Sequence, residues 1–185
     1  TAGYGNNNIF GSNGIDTIAV GGGNNIIEAG DGANTITASP TGSGDNVITT
    51  GSGIDTITVG YGDNYIDAGF GTIGANTITV GPTGSGNNTI LGSDGIDTIV
   101  VGNGNNDIEA GDGANTITVG PTGFGNNRII SGDGIDTITT GHGDNCIDAG
   151  SVGANTIAAG SGNNVIIAGS GIDTITVGNG NNFID

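Results

Sequence analysis

The chain has 185 residues, 42 of them Gly, with aromatics at 4% and no Met or Trp. This excludes an ordinary multi-layer globule, because nearly the only large apolar side chain is Ile. The formal charge is -17 with a single Lys or Arg, Arg128, which excludes nucleic acid and anionic membrane surfaces as partners, since both are bound through basic side chains.

From the N-terminus onward the chain repeats itself, and the repeat decides the fold. Ile recurs at 9, 18, 27, 36, 48, 57, 66, 78, 90, 99, 108, 117, 129, 138, 147, 157, 166, 175 and 184. Asn or Asp stands two residues before each, and Gly two residues before that. The Gly-x-Gly pair permits positive φ at a tight corner. The x-Ile-x stretch is a short strand whose Ile points inward while its neighbours point outward. A strand plus a corner takes about nine residues, so two make one turn of a flattened coil. The predicted fold is all-β: a parallel β-solenoid, a two-sheet β-roll of roughly 18–20 residues per turn and about nine to ten turns. Residues 1–185 form one repeat domain, expected to be a segment of a longer repeat protein, since the chain starts without Met and stops in mid-repeat. One buried Ile contributes ~1.5–3 kcal/mol, too little to order nine residues, so stability must come from stacking.

Segments such as Gly51-Ser52-Gly53-Ile54-Asp55-Thr56-Ile57-Thr58 resemble the secreted repeats-in-toxin (RTX) nonapeptide, Gly-Gly-x-Gly-x-Asp-x-apolar-x, and the resemblance covers almost the whole chain. It implies a calcium-binding β-roll in an extracellular or cell-surface protein. Two departures are visible. The first Gly is replaced by Val20, Ala29, Val59, Ala68, Val80, Ala110 and Val119, which adds a second inward apolar position. The calcium-binding Asp is mostly Asn, so calcium loading is expected to be partial.

Along the chain the nonapeptides come in four kinds with a period of about forty residues. The first carries Gly-Ile-Asp-Thr-Ile, the second Asn-x-Ile-[Glu/Asp]-Ala, and the third Gly-Ala-Asn-Thr-Ile. The fourth often carries a Pro-Thr-Gly insertion, at Pro40, Pro82 and Pro121. In a two-strand turn the first and third kinds share one sheet. That sheet should show outward Thr-x-Thr pairs: Thr35 and Thr37, Thr56 and Thr58, Thr77 and Thr79, Thr116 and Thr118, Thr137 and Thr139, Thr174 and Thr176. Hydroxyls ~6.7 Å apart along a strand and ~4.8 Å apart between strands resemble the ice-binding face of solenoidal antifreeze proteins. Thr also simply suits exposed strand positions, and Ala19, Val100 and Ala158 interrupt one column.

One corner is uniformly Asn: Asn7, Asn25, Asn46, Asn64, Asn88, Asn106, Asn127, Asn145, Asn164 and Asn182. Such a column should form a side-chain amide ladder that needs no metal. The other alternates Asp16, Asp55, Asp97, Asp136 and Asp173 with Asn, and Asp31, Asp94, Asp112 and Asp133 lie in the same corners. Carboxylates with loop carbonyls suit a hard cation that takes six to eight oxygens, so calcium is assigned to this edge. The alternative is a solvated acidic edge.

Enzyme chemistry finds little support. His142 lies in a Gly-His-Gly corner without an acidic or nucleophilic partner, and Cys146 is the sole cysteine, which precludes an intrachain disulfide. Glu28, Asp67, Glu109 and Asp148 recur every second turn, ~10 Å apart, too wide for a catalytic pair on one sugar ring. Asn87-Asn88-Thr89 is a glycosylation-type sequon. No apolar run approaches the ~20 residues that cross a bilayer. The sequence thus points to a non-enzymatic secreted structural repeat protein of a fibre or adhesin, self-associating end to end or laterally, with partial calcium binding. Ice binding by the Thr face is the second reading.

Overall fold

Gly-bounded segments centred on one Ile are too short for helix, and the single inward side chain sets a pleat. The computed structural model describes the whole chain except the side chains of Pro82 and Thr83, so for the insertion expected at Pro82 these two side chains lie outside the description. The fold is all-β, with nineteen short strands in two parallel sheets. Nine strands make the threonine sheet: Thr17–Val20, Thr35–Ser43, Thr56–Tyr61, Thr77–Ser85, Thr98–Asn103, Thr116–Phe124, Thr137–His142, Thr156–Ala159 and Thr174–Val177. Ten make the mixed sheet: Asn8–Phe10, Ile26–Gly30, Val47–Thr50, Tyr65–Ala68, Thr89–Leu91, Asp107–Glu109, Arg128–Ile130, Cys146–Asp148, Val165–Ile167 and Phe183–Ile184.

Consecutive strands lie on opposite sheets, and each pairs with the strand one full turn later, as the two-sheet roll requires. The simple turn is 18 residues; longer corners stretch it to 19, 21 or 24, beyond the range expected from the nonapeptide alone. Register is strict, with Ile opposite Ile at every step, as in Ile57↔Ile78 and Ile108↔Ile129.

The interior is one thin apolar layer. Ile27, Ile36, Ile48 and their successors through Ile147 are 0% exposed. Val20, Ala29, Val59, Ala68, Val80, Ala110 and Val119 fill the second inward position and are buried with them. Thr50, Ser131 and Thr140 occupy that position elsewhere and are also buried. Such a core stabilises each turn only because the turns above and below exclude water from it.

The insertions do not belong to the mixed-sheet repeat that follows them. They prolong threonine-sheet strands, with register shifts between Ala38 and Ser43 and between Val119 and Phe124. Pro cannot donate to a ladder, so it sits where the strand bulges. The bulge opens with left-handed backbone, φ +44° at Gly81 and +46° at Gly120. Ser39 adopts 48° at the same place, the one non-Gly residue with positive φ among the described residues.

Candidate functional site: two ladder-lined edges and a threonine face

The corner entering the mixed sheet holds the Asn column, and every member from Asn7 to Asn164 donates to the next. In the Asn25 turn, backbone N–H and side-chain Nδ2 both donate to Asn46 Oδ1, at 3.2 and 2.9 Å. The same Nδ2 donates to the Gly21 and Gly23 carbonyls at 3.4 and 2.9 Å. Asn106 repeats this with Asn127, Gly102 and Gly104. Several oxygens thus converge on one amide nitrogen, whose hydrogens supply the positive charge density a cation would otherwise bring. Asn25, Asn46, Asn64, Asn88, Asn106, Asn127, Asn145 and Asn164 are all buried, so the ladder expected from sequence is a core element.

A second ladder runs beside it on the outside, which the sequence reading did not identify. Asn24 N–H donates to Asn6 Oδ1, Asp45 to Asn24, Asp63 to Asp45, and Asn87 to Asp63. The run continues through Asn105, Asn126, Asp144, Asn163 and Asn181. It is marked by the Asx-Asn doublet in every such corner, Asn24-Asn25 or Asp63-Asn64. Its direction is opposite: the later turn donates to the earlier one. Asn87 of the sequon is exposed and belongs to it.

The corner entering the threonine sheet is built differently. Backbone N–H groups again donate to the next turn's side-chain oxygen: Asp16 to Asn34, Asn34 to Asp55, Asp55 to Asn76, Asn76 to Asp97. The series continues from Asp97 through Asn115, Asp136 and Asn155 to Asp173. Asp55, Asp97 and Asp136 are 0% exposed, so the edge is not a row of solvated acids. Asp16 and Asp173 are half-buried nearer the ends. Asp31, Asp94, Asp112 and Asp133 lie outside, exposed, and accept from the corner backbone of the next turn. Among the described residues no three His, Cys, Asp or Glu side chains converge into a ready metal cluster.

The buried carboxylates differ in how they are satisfied. Asp97 Oδ2 accepts from Ser93 N–H at 2.8 Å, and Asp136 Oδ2 from the Ser131 hydroxyl at 2.7 Å. Burial nevertheless pushes both carboxyls above the ordinary value of 3.8. Asp31 is held below it by the N–H and hydroxyl of Ser52. Asp55 Oδ2 is buried without any partner, as are the hydroxyls of Thr50 and Thr140. At the Asn turns of this edge an amide meets the corner carbonyls, as Asn34 Nδ2 meets Gly30 and Gly32. Asp has no hydrogen to offer them. A buried carboxylate oxygen without a donor, in a corner of carbonyls, is an all-oxygen donor set that fits calcium.

On the threonine sheet, Thr17, Thr35, Thr56, Thr77, Thr98, Thr116, Thr137, Thr156 and Thr174 stand in register and exposed. Thr37, Thr58, Thr79, Thr118 and Thr139 are half-buried beside them, and Thr176 is exposed. Among the described residues none of these hydroxyls bonds within the chain, so the column is not a cross-strand Thr ladder. A third column, beside the buried Asx residues, alternates exposed Ile15, Ile54, Ile96, Ile135 and Ile172 with Ala. These are the first isoleucines of the Gly-Ile-Asp-Thr-Ile repeats, and at 62 to 88% exposure they form an uncovered apolar row.

The mixed face carries the molecule's sole guanidinium. Arg128 bridges Asp107 at 2.6 Å and Glu109 at 2.9 Å. His142 is exposed; its Nδ1 accepts from Ser161 N–H at 3.0 Å, and its ring packs on Phe124 with centroids 5.4 Å apart. Cys146 is exposed on a strand between Arg128 and Val165. Among the described residues no helix is long and apolar enough to cross a membrane.

Against known proteins, a family profile described as the RTX calcium-binding nonapeptide repeat (4 copies) matches residues 1–36, 40–72, 82–117, 121–152 and 150–184. No curated protein and no solved structure matches the chain.

Proposed function

The chain belongs to the RTX calcium-binding nonapeptide repeat family, and from that premise we propose that it is a secreted, non-enzymatic structural protein of an extracellular fibre or adhesin. Calcium binding comes with the family, and the donor set at the Asp-bearing edge suits it. RTX repeat proteins are typically secreted and extracellular, where sites with few charged ligands and ~10⁻⁴–10⁻³ M affinity can still fill. The observation that carries the structural role is the in-register stack: each strand pairs with the one a turn later, Ile opposite Ile at every step, and corners of different length are accommodated without breaking that register, so turns can add. Lateral self-association is supported by the exposed Ile15, Ile54, Ile96, Ile135 and Ile172 row, a contiguous apolar strip of a kind monomers seldom leave uncovered. The test is sedimentation and negative-stain microscopy of the purified chain in millimolar calcium and in chelator. Calcium-dependent association or elongation is expected; a monomer indifferent to calcium would sink the reading.

Ice binding is the second reading, favoured by the nine in-register threonines whose hydroxyls stay free for solvent. Thr77→Tyr and Thr116→Tyr should abolish thermal hysteresis while leaving the circular dichroism spectrum unchanged. No hysteresis in the parent chain ends that reading.

A further inference from the structure

We infer that calcium is confined to a single corner of this roll, held by Asp55 and Thr50, and that the Asn corners and those of Asp16, Asp97 and Asp136 have replaced it with a hydrogen of the protein's own. The inference rests on the calcium reading above and deepens it.

The corners divide by what meets their oxygens. Along the Asn edge, amide nitrogens already occupy the convergence of carbonyl and side-chain oxygens, as at Asn64, whose Nδ2 donates to Gly62 and to Asn88 Oδ1 at 3.0 Å each. On the opposite edge Asn34, Asn76, Asn115 and Asn155 do the same for their own corners, with Gly30, Ala68, Gly111 and Ala149 among their acceptors. A cation entering any of these would have to displace a buried, fully engaged amide.

Three of the remaining carboxylates have been given donors instead. Asp16 Oδ2 takes Ser12 N–H at 3.0 Å, Asp97 Oδ2 takes Ser93 N–H, and Asp136 Oδ2 takes the Ser131 hydroxyl. Asp173 is half-buried, near the end of the stack.

Asp55 differs from all of these. Its Oδ1 accepts from Asn34 N–H at 2.8 Å, but its Oδ2 is buried and empty-handed. Five residues earlier, at the inward position that Ser131 holds relative to Asp136, stands Thr50, whose hydroxyl is also buried and unpartnered. That position lies beside the carboxylate: a Cβ added at its Gly equivalents would stand 2.8 Å from Asp16 Oδ2 at Gly11 and 2.6 Å from Asp97 Oδ2 at Gly92. Two buried oxygens without donors therefore share one corner. At Thr140, the third such case, the residue five along is Asn145, whose amide is fully engaged. The Asp31 carboxylate lies against Gly51 of the Asp55 corner and is anchored by Ser52, which brings a second negative charge to the mouth. A hard divalent cation satisfies an unpaired carboxylate oxygen, a hydroxyl and corner carbonyls together.

The experiment counts calcium ions on the full chain, with calcium chloride alone as the probe, by native mass spectrometry and isothermal titration calorimetry. The variants are Asp55→Asn, Asp136→Asn and Thr50→Val. Asn already stands at the equivalent corner of neighbouring turns, at Asn34 and Asn76, so the first is compatible with the fold. One ion is expected in the parent and in Asp136→Asn, none in Asp55→Asn, and binding about tenfold weaker in Thr50→Val. More than one ion, or a count untouched by Asp55→Asn, overturns the single-corner assignment while leaving calcium binding intact. An unchanged constant in Thr50→Val removes the hydroxyl from the site. No ion in the parent overturns this inference and the calcium reading together.

Discussion

The two edges of the roll solve one problem with opposite chemistry. Each must turn the chain while several carbonyl oxygens point into one corner, and like dipoles crowded together are costly when buried. The edge entering the mixed sheet answers with ten asparagines, whose amides provide acceptor and donor at once. The edge entering the threonine sheet alternates that answer with Asp, which supplies the acceptor and lacks the donor, and local Ser groups make up part of the difference. A one-atom change, NH₂ for O, thus decides whether a corner is self-sufficient or dependent on something further.

The most severe way to break this contrast is to move the acid to the self-sufficient edge. Asn106→Asp would set a carboxylate against the Gly102 and Gly104 carbonyls, and a loss of about 4 kcal/mol in urea unfolding is expected in chelator. Millimolar calcium should restore part of it; no loss at all would mean the amide is not filling a cation's place. Asn106→Ala removes donor and acceptor together and should cost about 2–3 kcal/mol, with no recovery on adding calcium.

The reciprocal exchange sharpens the contrast. Asp55→Asn would point an amide at the Gly51 and Gly53 carbonyls as Asn34 does at Gly30 and Gly32. In metal-free buffer it should raise stability by about 1 kcal/mol, read as a higher melting temperature. A lower one would mean that Asp55 is already satisfied.

Acidity offers a milder probe. Burial holds Asp97 and Asp136 above 3.8, so the folded chain binds protons more readily than the unfolded one. Their contribution is fully present below that ordinary value and is lost as pH rises through the folded value. Asp31, held lower by Ser52, works the other way: its contribution is present above 3.8 and lost as pH falls through its own lowered value. In metal-free buffer the melting temperature should climb as pH drops from neutral towards about 4, with a shallower climb in Asp97→Asn/Asp136→Asn. Equal slopes would clear the two buried acids. The smallest effect is expected from Asn105→Ala on the exposed outer ladder, about 0.5 kcal/mol.

How much of this was legible in the sequence follows from what periodicity can express. The Ile spacing dictates strands, their alternation between sheets and the Asn7-to-Asn182 column, because each is a pattern along one dimension. Thr56 above Thr35 and below Thr77 follows from the same count. Periodicity does not tell whether a corner side chain points in or out, so the burial of Asp55, Asp97 and Asp136 was hidden. The same blindness concealed Ile54 and Ile96, large apolar residues that corner geometry turns towards water. The outer ladder was written plainly in the Asx-Asn doublets, yet only the stacking of turns gives Asp63 and Asn87 a hydrogen bond across 24 residues. The pairing of Thr50 with Asp55 depends on which hydroxyl lacks a partner, a matter of rotamers that no residue count contains.

The opposed directions of the inner and outer ladders carry a consequence for length. In the inner column the N–H of Asn25 points towards the C-terminal end of the stack, and in the outer column that of Asn24 points towards the N-terminal end. Backbone bonds alternate likewise, Ile26 donating one way and Gly11 the other. The axial moments of neighbouring backbone rows therefore oppose one another, unlike the aligned peptides of a helix. Added turns therefore do not sum their backbone dipoles along the coil as a lengthening helix does, so elongation meets no growing electrostatic penalty from that source at either end.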